Sequence, residues 1–461
     1  MFSTVMIANR GEIALRIART CRELGLRTIL AHSSADRDSA AARYADEVVQ
    51  IGPPAARRSY LNPAAIVTAA LQRGADAVHP GYGFLSEDHD FAEICTANGL
   101  TFIGPPASVI AMLGDKAQAR EFAERAGLPL LPGSRGVLAS GTEARAVAED
   151  IGYPVIIKAV AGGGGRGMTV VREPGEFLRQ YVATRHTAQA LFGDNRVFVE
   201  RYLESARHIE VQVFGDQHGN VVHLGARDCS VQRRRQKLVE ESPPPGLPAE
   251  LVARMGEASV RMARMAGYVG AGTFEYVVDD DDRFYFMEVN SRIQVEHPVT
   301  EMVTGLDLVR EQLSVAAGRP LSLRQEDLQV RGSALECRIN AEDPDRDFLP
   351  TPGLVSDYLP PGGPFVRVDS HMRAGARITP DYDSLVAKVI VWAPDRGQAI
   401  ARMDRALHEL RLSGDGVRTT RDFLRDVIAH PLFRDAKHNT GLVEQMAPAG
   451  APTDGRRVDV R

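Results

Sequence analysis

GTFEYVVDDDDRFYFMEVNSRIQVEH, residues 272–297, contains two runs of aromatic and β-branched residues separated by a short acidic segment. This pattern predicts two antiparallel strands joined by a loop. If residues 280–283 form that loop, Glu275 and Glu288 lie directly opposite each other. Two opposed carboxylates repel, so we expect a cation between them. Mg²⁺ is the expected ion, with Mn²⁺ as the alternative, because Mg²⁺ binds through one or two carboxylates together with substrate phosphates.

The second strand of this hairpin carries further candidate ligands. Period-two alternation puts Glu288, Asn290 and Arg292 on one face, together with the two phenylalanines of that strand. A metal ligand, a second oxygen ligand and an anion-binding guanidinium would then project from one strand end. The acidic residues 279–282 are expected to be solvated and to take no part in the site.

Lysine is rare in this chain, with five lysines against 50 arginines. An ammonium is a compact point charge, whereas a guanidinium is a wide planar fork, so a retained lysine suggests a tight contact to a single anion. Lys116 follows Gly-Asp at a predicted helix start, Lys158 ends an apolar strand, and Lys237 closes a basic run. These three segments are typical of phosphate binding. The other two lysines are Lys388 and Lys437.

Five glycines occur within residues 162–167, between the apolar runs PVIIKAV and MTVVRE. A P-loop would require Lys and then Ser or Thr after the last glycine, followed by a helix, but Met168 and Thr169 stand there. The pattern therefore predicts two strands joined by a flexible hairpin loop. Such a loop can fold over a ligand and offer backbone N–H groups to phosphate oxygens. Lys158 and Arg166, on either side, support this interpretation.

The bulk composition argues against several classes of protein. A net charge of −5 and an isoelectric point near 6.2 are unlike those of a general nucleic-acid binder, which needs a basic field. The four cysteines are widely spaced, which disfavours a disulfide framework or a zinc site and indicates a reducing compartment. The sequence contains no run of about 18 apolar residues, so it predicts no membrane span. We therefore expect a cytoplasmic protein without membrane or nucleic-acid partners.

The order of predicted elements indicates an α/β chain with an α+β part. Residues 1–114 alternate strands and helices, beginning with TVMIA, GEIALRIARTCRELG and RTILAHS, and predict a doubly wound parallel sheet. After two helices and the glycine hairpin, a long β-rich stretch is predicted up to about residue 330. Residues 331–447 predict a mixed α+β domain, and residues 448–461 a disordered tail.

Several long segments resemble the biotin carboxylase component of biotin-dependent carboxylases, an ATP-grasp enzyme. They include IANRGEIALRI, HPGYGFLSE, RHIEVQV, RIQVEHPVTE and ECRINAEDP. The resemblance implies an N-terminal biotin carboxylase domain at 1–114, an ATP-grasp domain at 115–330 with a mobile glycine-rich lid at about 131–203, and a C-terminal domain at 331–447. It also implies that ATP and Mg²⁺ convert bicarbonate to carboxyphosphate, which delivers CO2 to a ureido nitrogen of biotin.

The resemblance also assigns roles to individual residues. It places at the nucleotide Lys116, Lys158, Gly163, Gly164, Gly165, Arg166, Gly167, Glu200, Leu203, His208, Gln232 and Arg235. It places at the metal Glu275, Glu288 and Asn290. It places at bicarbonate Lys237, Arg292, Gln294 and Val295, with Glu296 as the base. It places at biotin Tyr82, Arg338 and Asp383, with Arg338 stabilising the enolate form of the ureido group. The catalytic set is then Glu296, Arg338, Arg292 and Lys237.

Two physical points bear on these roles. A carboxylate beside Lys237 and Arg292 would have a lowered pKa, which makes Glu296 a weak base unless bound bicarbonate offsets the positive charge. The chain also departs from the family at Arg235, where His is usual, and at Arg201, where Lys is frequent. The change at 201 is expected to be mild, whereas Arg235 can alter nucleotide affinity or lid closure.

Two alternatives stay open at this point. Another ATP-grasp ligase, such as a carbamoyl-phosphate or purine-pathway enzyme, would share the lid and the acidic hairpin but would not need RIQVEHPVTE or Arg338. A nucleotide-binding regulatory subunit without turnover is the second alternative, and Arg235 is its only support.

The biotin itself is expected on another polypeptide. A biotinylated lysine is flanked by methionines, and none of the five lysines has a Met neighbour. We expect a stand-alone subunit that forms a homodimer, by resemblance, and works with a biotin carboxyl carrier protein and a carboxyltransferase. The acyl-CoA carboxylases of fatty acid biosynthesis are one such system. Acetyl-CoA, propionyl-CoA and pyruvate all stay open as the final acceptor.

Overall fold

A computed structural model describes residues 2–134, 136–138, 140–161 and 166–446. Numbered in chain order, the strands are β1 Thr4–Ile7, β2 Arg27–Ser33, β3 Glu47–Gly52, β4 Ala77–His79, β5 Thr101–Phe102, β6 Val155–Ala159, β7 Met168–Val171, β8 Val197–Arg201, β9 Arg207–Gly215, β10 Val221–Arg233, β11 Gln236–Ser242, β12 Gly270–Val278, β13 Phe284–Asn290, β14 Ser333–Asn340, β15 Glu342–Asp343, β16 Leu349–Pro350, β17 Gly353–Leu359, β18 Val366–Ser370, β19 Arg377–Ile378, β20 Leu385–Ala393 and β21 Arg411–Gly414. The α-helices are α1 Gly11–Glu23, α2 Ala40–Tyr44, α3 Pro63–Gln72, α4 His89–Ala97, α5 Ala107–Gly114, α6 Lys116–Arg125, α7 Gly141–Ile151, α8 Phe177–Phe192, α9 Ala249–Ala266, α10 His297–Thr304, α11 Leu308–Ala316, α12 Arg396–Glu409, α13 Arg421–Ala429, α14 Pro431–Arg434 and α15 Leu442–Met446.

Strands β1 to β5 form a parallel sheet in the order β3-β2-β1-β4-β5. The chain starts at the centre, builds one side, and then returns to build the other, so the sheet is doubly wound as predicted. The central strand β1, TVMI, is buried at every position. Such a continuous apolar run is expected for a strand covered by helices on both faces.

A small antiparallel sheet, in the order β7-β6-β8, forms a separate layer with helices α7 and α8. Pairing of β6 with β7 confirms the predicted strand, loop and strand around the glycine run. The predicted phosphate-binding glycines Gly163, Gly164 and Gly165 lie outside the described residues, as does the tail 448–461. The next glycine, Gly167, has a φ of +69°, in the left-handed region that favours glycine.

The largest sheet has eight strands in the order β13-β12-β9-β10-β11-β14-β20-β18. Its neighbouring strands pair antiparallel throughout. The pairing of β11 with β14 carries the sheet across the boundary predicted at residue 330. The central and C-terminal parts of the chain therefore share one hydrogen-bonded sheet. Helix α9 packs on the apolar face of strands β9, β10, β12 and β13.

The acidic hairpin differs in detail from its prediction. Its strands pair Glu275 with Glu288, as predicted, but the connecting loop has five residues, 279–283, because Val278 pairs with Phe284. One extra residue, Met287, then forms a β-bulge that restores the predicted register. The bulge also changes which face each later side chain occupies.

Because of the bulge, the prediction that Glu288 shares a face with the two phenylalanines is wrong. Phe284 and Phe286 pack in the apolar core together with Val289. Glu288 and Asn290 instead lie on the opposite face of the sheet, where Glu288 pairs with Glu275. Strict period-two alternation fails wherever a bulge adds a residue.

The long β-rich stretch predicted after the glycine hairpin is also partly wrong, because it includes helices α8, α9, α10 and α11. Helix α8 buries Phe177, Tyr181, Thr184 and Ala188, a spacing of three to four residues that is typical of one helix face. The aromatic and β-branched residues of this segment favour a strand by propensity, and the burial of one helical face outweighs that preference.

The four cysteines are buried and none forms a disulfide. Among the helices that the structure describes, none combines the length and the apolar composition needed to cross a bilayer.

Candidate active site

Polar side chains gather on one face of the eight-stranded sheet. His208, Glu210 and Gln212 occupy alternate positions along β9, while the intervening residues Ile209 and Val211 face the apolar core. On β12, Glu275 is the cross-strand partner of Glu210, and Thr273 is the partner of Gln212. The strand period of two thus separates an apolar face from a face of buried, charged groups.

Lys237, on β11, lies at the centre of this face. Its Nζ is 2.6 Å from Glu210 Oε2, 3.0 Å from Glu275 Oε1 and 2.6 Å from Glu296 Oε1. Burial favours the neutral amine, but the three carboxylates hold the pKa of Lys237 well above its ordinary value. Lys237 therefore joins the predicted metal site to the predicted base.

The predicted metal ligands do converge on adjoining strands. Each opposed carboxylate is neutralised by a lysine from another element: Lys116 contacts Glu288, and Lys237 contacts Glu275. Asn290 Nδ2 donates to Glu275 Oε1 over 2.8 Å. Two carboxylates on paired strands, with an Asn side chain beside them, fit a hard divalent cation, which prefers oxygen ligands.

Glu275 has further partners that keep it ionised. His208 Nε2 lies 3.1 Å from Glu275 Oε2, and Gln294 Nε2 donates to Glu275 Oε1 over 3.1 Å. Burial opposes ionisation, but Lys237 and His208 hold the pKa of Glu275 well below its usual range. The carboxylate form is the one that binds a metal ion.

Glu296, the predicted base, is fully buried between two cations. Arg338 Nη2 donates to Glu296 Oε2 over 2.8 Å, while Lys237 holds the other oxygen. Against the effect of burial, Lys237, Arg338 and Arg227 hold the pKa of Glu296 well below its ordinary value. The pKa is lowered as predicted for a carboxylate near Lys237 and Arg292. Arg338 and Arg227 add to the effect of Lys237, and Arg292 also interacts electrostatically with Glu296.

Arg292 has a different set of contacts. Its Nε donates to Glu87 Oε2 over 2.8 Å, and its two Nη groups donate to Gln294 Oε1 and Asn290 Oδ1 over 3.2 and 3.1 Å. Arg292 thus orders two residues predicted to face bicarbonate and the metal. Glu87 also accepts a hydrogen bond from the backbone of Ser291, which fixes the start of this segment.

The predicted nucleotide side lies next to the carboxylate pair. The Asp115 carboxylate caps α6 by accepting from two backbone N–H groups over 3.0 Å each, and this places Lys116 in the first turn. Lys158, on β6, lies 2.5 Å from Glu200 on β8. Burial is the main cause that lowers the pKa of Lys158 to about 7, and nearby cations lower it further. Burial also lowers the pKa of Lys116, to about 8.

Glu200 was expected at the adenine, and its carboxylate is bound to the protein by Lys158 and Arg120. The other predicted nucleotide residues occupy several elements. Leu203 is half-buried after β8, Gln232 is buried at the end of β10, and Arg166 is exposed at the end of the glycine run.

Arg235 lies in the two-residue turn between β10 and β11. Both Arg234 and Arg235 have left-handed backbone angles, with φ of +47° and +66°, as a type I′ hairpin turn requires. Asp347 holds the turn by binding Arg233 and, over 2.9 Å, Arg234. The positive charge of Arg235 contributes to the lowered pKa values of Lys116 and Lys158.

Three residues predicted to bind biotin, Tyr82, Arg338 and Asp383, lie near one another: burial raises the pKa of Tyr82, and the charges of Asp383 and Arg338 also act on it. Tyr82 follows β4 and donates its hydroxyl to Glu12. Asp383, just before β20, accepts a hydrogen bond from the backbone of Leu385 over 3.0 Å. The carbonyl of Val295 accepts a hydrogen bond from Lys388 Nζ over 2.8 Å.

Sequence reasoning missed several charged residues of this site, namely Glu12, Glu87, Arg120, Glu210, Arg227 and Glu240. Arg227 is fully buried, and its Nε donates to Glu210 Oε1 over 2.6 Å. Arg338 Nε donates to Glu240 Oε1 over 2.6 Å. The sequence did contain one signal for such residues: a charged residue inside an otherwise apolar strand, such as Glu210 in RHIEVQV, indicates a buried functional group.

Three family models match consecutive parts of the chain. The model "Biotin carboxylase, N-terminal domain" matches residues 1–110, "Carbamoyl-phosphate synthase L chain, ATP binding domain" matches residues 115–324, and "Biotin carboxylase C-terminal domain" matches residues 336–445. The two flanking matches decide against the alternative of another ATP-grasp ligase.

Two curated relatives cover most of the chain. The biotin carboxylase of Nostoc sp. is 53% identical over 96% of this chain and 99% of its own length. A pyruvate carboxylase subunit from Methanothermobacter thermautotrophicus is 48% identical over 96% of this chain and 90% of its own length.

A solved structure is also similar to this chain over most of its length. The biotin carboxylase domain dimer of Hydrogenobacter thermophilus 2-oxoglutarate carboxylase, in complex with MgADP, ADP and bicarbonate, is 47% identical. It superposes with a TM-score of 0.94, covering 96% of this chain and 98% of that domain. Fold and site together define an ATP-grasp enzyme. Within that class, the chain belongs to the biotin carboxylase family.

Proposed function

We propose that this chain catalyses the first half-reaction of a biotin-dependent carboxylase, the ATP- and bicarbonate-dependent carboxylation of biotin on a separate carrier protein. One observation carries the assignment of residues. Lys237 Nζ lies 3.0 Å from the metal-side carboxylate Glu275 and 2.6 Å from the base Glu296. A phosphoryl group bound at the metal would therefore adjoin a small anion bound at the base.

On this proposal Glu275, Glu288 and Asn290 hold Mg²⁺, which supplies charge stabilisation to the phosphates of ATP when bound. Lys116 and Lys158 bind phosphate oxygens, and the anionic nucleotide restores their positive charge. Each lysine then exchanges a protein carboxylate for a phosphate oxygen. Glu200, Leu203, His208, Gln232, Arg235, Arg166 and the glycine run complete the nucleotide site.

Bicarbonate binds among Lys237, Arg292, Gln294 and Val295, and Glu296 accepts its proton. A second anion beside Glu296 competes for Lys237 and Arg338, so it raises the pKa of Glu296 from its depressed value and makes the carboxylate a stronger base. The bound substrate thereby activates its own base. The product of phosphoryl transfer is carboxyphosphate, the source of CO2.

Biotin binds at Tyr82, Arg338 and Asp383. Arg338 offers a guanidinium to the enolate oxygen of the ureido group, as a preorganised donor for developing negative charge. Its side chain is already oriented by Glu240 and Glu296 at 2.6 and 2.8 Å. Preorganisation of this kind avoids the cost of reorienting a flexible side chain during the reaction.

The partners are a biotin carboxyl carrier protein and a carboxyltransferase, and the chain is a homodimer, as the Hydrogenobacter thermophilus domain is. That relative belongs to a 2-oxoglutarate carboxylase and the Methanothermobacter thermautotrophicus relative to a pyruvate carboxylase. Because these relatives serve carboxylases with different acceptors, we infer that the carboxyltransferase selects the final acceptor. The acetyl-CoA of fatty acid biosynthesis is one candidate acceptor. The compartment is the cytoplasm, where buried, unpaired cysteines stay reduced.

The decisive experiment measures ATP hydrolysis by the purified chain with Mg²⁺, with and without bicarbonate, and with free biotin. We expect hydrolysis that needs bicarbonate and rises with biotin, together with incorporation of labelled bicarbonate into biotin. Binding of ATP without bicarbonate-dependent turnover would instead support a regulatory role.

A further inference from the structure

Lys388 is one of the five lysines kept in this arginine-rich chain, and the site residues above give it no role. It lies on β20 with its side chain fully buried. On the neighbouring strand β14 its cross-strand partner is Arg338, the residue proposed to stabilise the biotin enolate. Two opposed cations repel, so this placement needs compensating anions.

Two contacts define where the Lys388 ammonium points. It lies 2.9 Å from Glu12 Oε1 and donates over 2.8 Å to the carbonyl of Val295. Asp369 is the next carboxylate, at 4.0 Å. Glu12 is itself buried and also accepts a hydrogen bond from the hydroxyl of Tyr82. One ammonium therefore connects, through Glu12, a residue of the biotin side with the backbone of the bicarbonate side.

The contact to Val295 is important because of what flanks it. Gln294, one residue before, donates to Glu275, and Glu296, one residue after, is paired with Lys237 and Arg338. A donor on the intervening carbonyl fixes the orientation of this peptide. Small errors in the placement of such a segment cost about a hundredfold in rate.

Lysine suits this position better than arginine. The ammonium is compact and reaches both one carbonyl and one carboxylate, whereas a planar guanidinium would need a wider space. Burial alone would lower the pKa of Lys388, and Glu12, Glu336 and Asp369 raise it above its ordinary value, so the side chain remains a cation.

We propose that Lys388 is a positioning residue that couples the bicarbonate segment 294–296 to the biotin-side residue Tyr82 through Glu12. This inference rests on the proposed function. It adds that the bicarbonate and biotin sites share one buried cation. Loss of this cation therefore weakens the binding of both substrates while the nucleotide site stays intact.

The test compares the wild type with Lys388→Met, which keeps the length of the side chain without its charge. Lys437→Met is the matched control, because Lys437 is exposed and lies 3.9 Å from Asp435 at the surface. The measurements are the KM for bicarbonate in biotin-free ATP hydrolysis, the KM for free biotin, and the Kd for ATP by calorimetry.

For Lys388→Met we expect a rise of about tenfold to a hundredfold in both KM values, the size expected for losing one hydrogen bond to a charged group, with the Kd for ATP unchanged. Glu12→Gln should act in the same direction but more weakly, and it decides the question if Lys388→Met does not fold. An equal rise in the Kd for ATP would indicate general loosening and overturn the inference, as would unchanged KM values. If the wild type lacks bicarbonate-dependent hydrolysis, the proposed function itself fails.

Discussion

Replacing Lys237 by Met tests whether one ammonium holds the three carboxylates together. Glu210 would keep Arg227 at 2.6 Å, and Glu296 would keep Arg338 at 2.8 Å. Within the part of the chain that the structure describes, Glu275 would keep no ion pair with a Lys or Arg. It would keep contacts with His208, Asn290 and Gln294, and the charges of Lys116 and Arg292 would still act on it without a direct contact. One buried carboxylate is therefore left without adequate compensation.

Breaking a buried ion pair from one side costs about 3–5 kcal/mol, and we expect a loss of that size in the free energy of unfolding at pH 8. In the wild type the pKa of Glu275 is depressed. In the variant, we expect burial without the opposing charge of Lys237 to raise the pKa of Glu275 above the unfolded value. Protonation then relieves the penalty as the pH falls, so the deficit should shrink between pH 8 and pH 6, by at most about 1.4 kcal/mol per pH unit.

The assay is urea unfolding followed by circular dichroism at pH 6, 7 and 8, with Lys437→Met as control. A double variant that adds Glu275→Gln should recover stability relative to Lys237→Met alone, because it removes the uncompensated charge. A deficit that is the same at all three pH values, or a double variant less stable than the single one, would refute the reasoning.

Three further predictions concern catalysis and the nucleotide. Glu288→Gln removes a proposed metal ligand, so kcat should fall by about a hundredfold or more and the Mg²⁺ concentration needed for half-maximal rate should rise; an unchanged Mg²⁺ requirement would contradict its role as a ligand. Since the pKa of Lys158 is about 7 and that of Lys116 about 8 in the free protein, phosphate binding at pH 8 should recharge them, and calorimetry in two buffers should detect proton uptake with ATP; no buffer dependence would exclude it. Arg235→Gln should weaken ATP binding by about threefold to tenfold at low salt and less at high salt, whereas an effect independent of salt would point to a steric cause.

The sequence was sufficient to predict the parallel N-terminal sheet, which follows from local periodicity. The pairing of Glu275 with Glu288 was also predicted correctly, although the predicted loop was one residue too short. The sequence was insufficient for the face of Phe284 and Phe286, because the bulge at Met287 depends on how the strand packs against its neighbours. The correct register arose from two compensating differences, a loop longer by one residue and one bulge.

The charge network could be predicted only in part. Lys116, Lys158 and Lys237 were identifiable because lysine is rare in this chain. The carboxylates that bind them in this structure, such as Glu200 and Glu210, come from strands distant in sequence, and no local pattern specifies which anion meets which cation. Arg227 is the extreme case, because its partners on β9, β12 and α10 meet it only in the folded state.

The continuous ladder from β13 to β18 has a consequence for dividing this protein into fragments. A cut near residue 330 would fall in a loop, but it would leave β11 with an unpaired edge along Val239 to Ser242. Unpaired strand edges of this kind form hydrogen bonds with strands of other chains and promote aggregation. A chimaera that exchanges the C-terminal third between relatives therefore has to match a β-ladder as well as a domain surface.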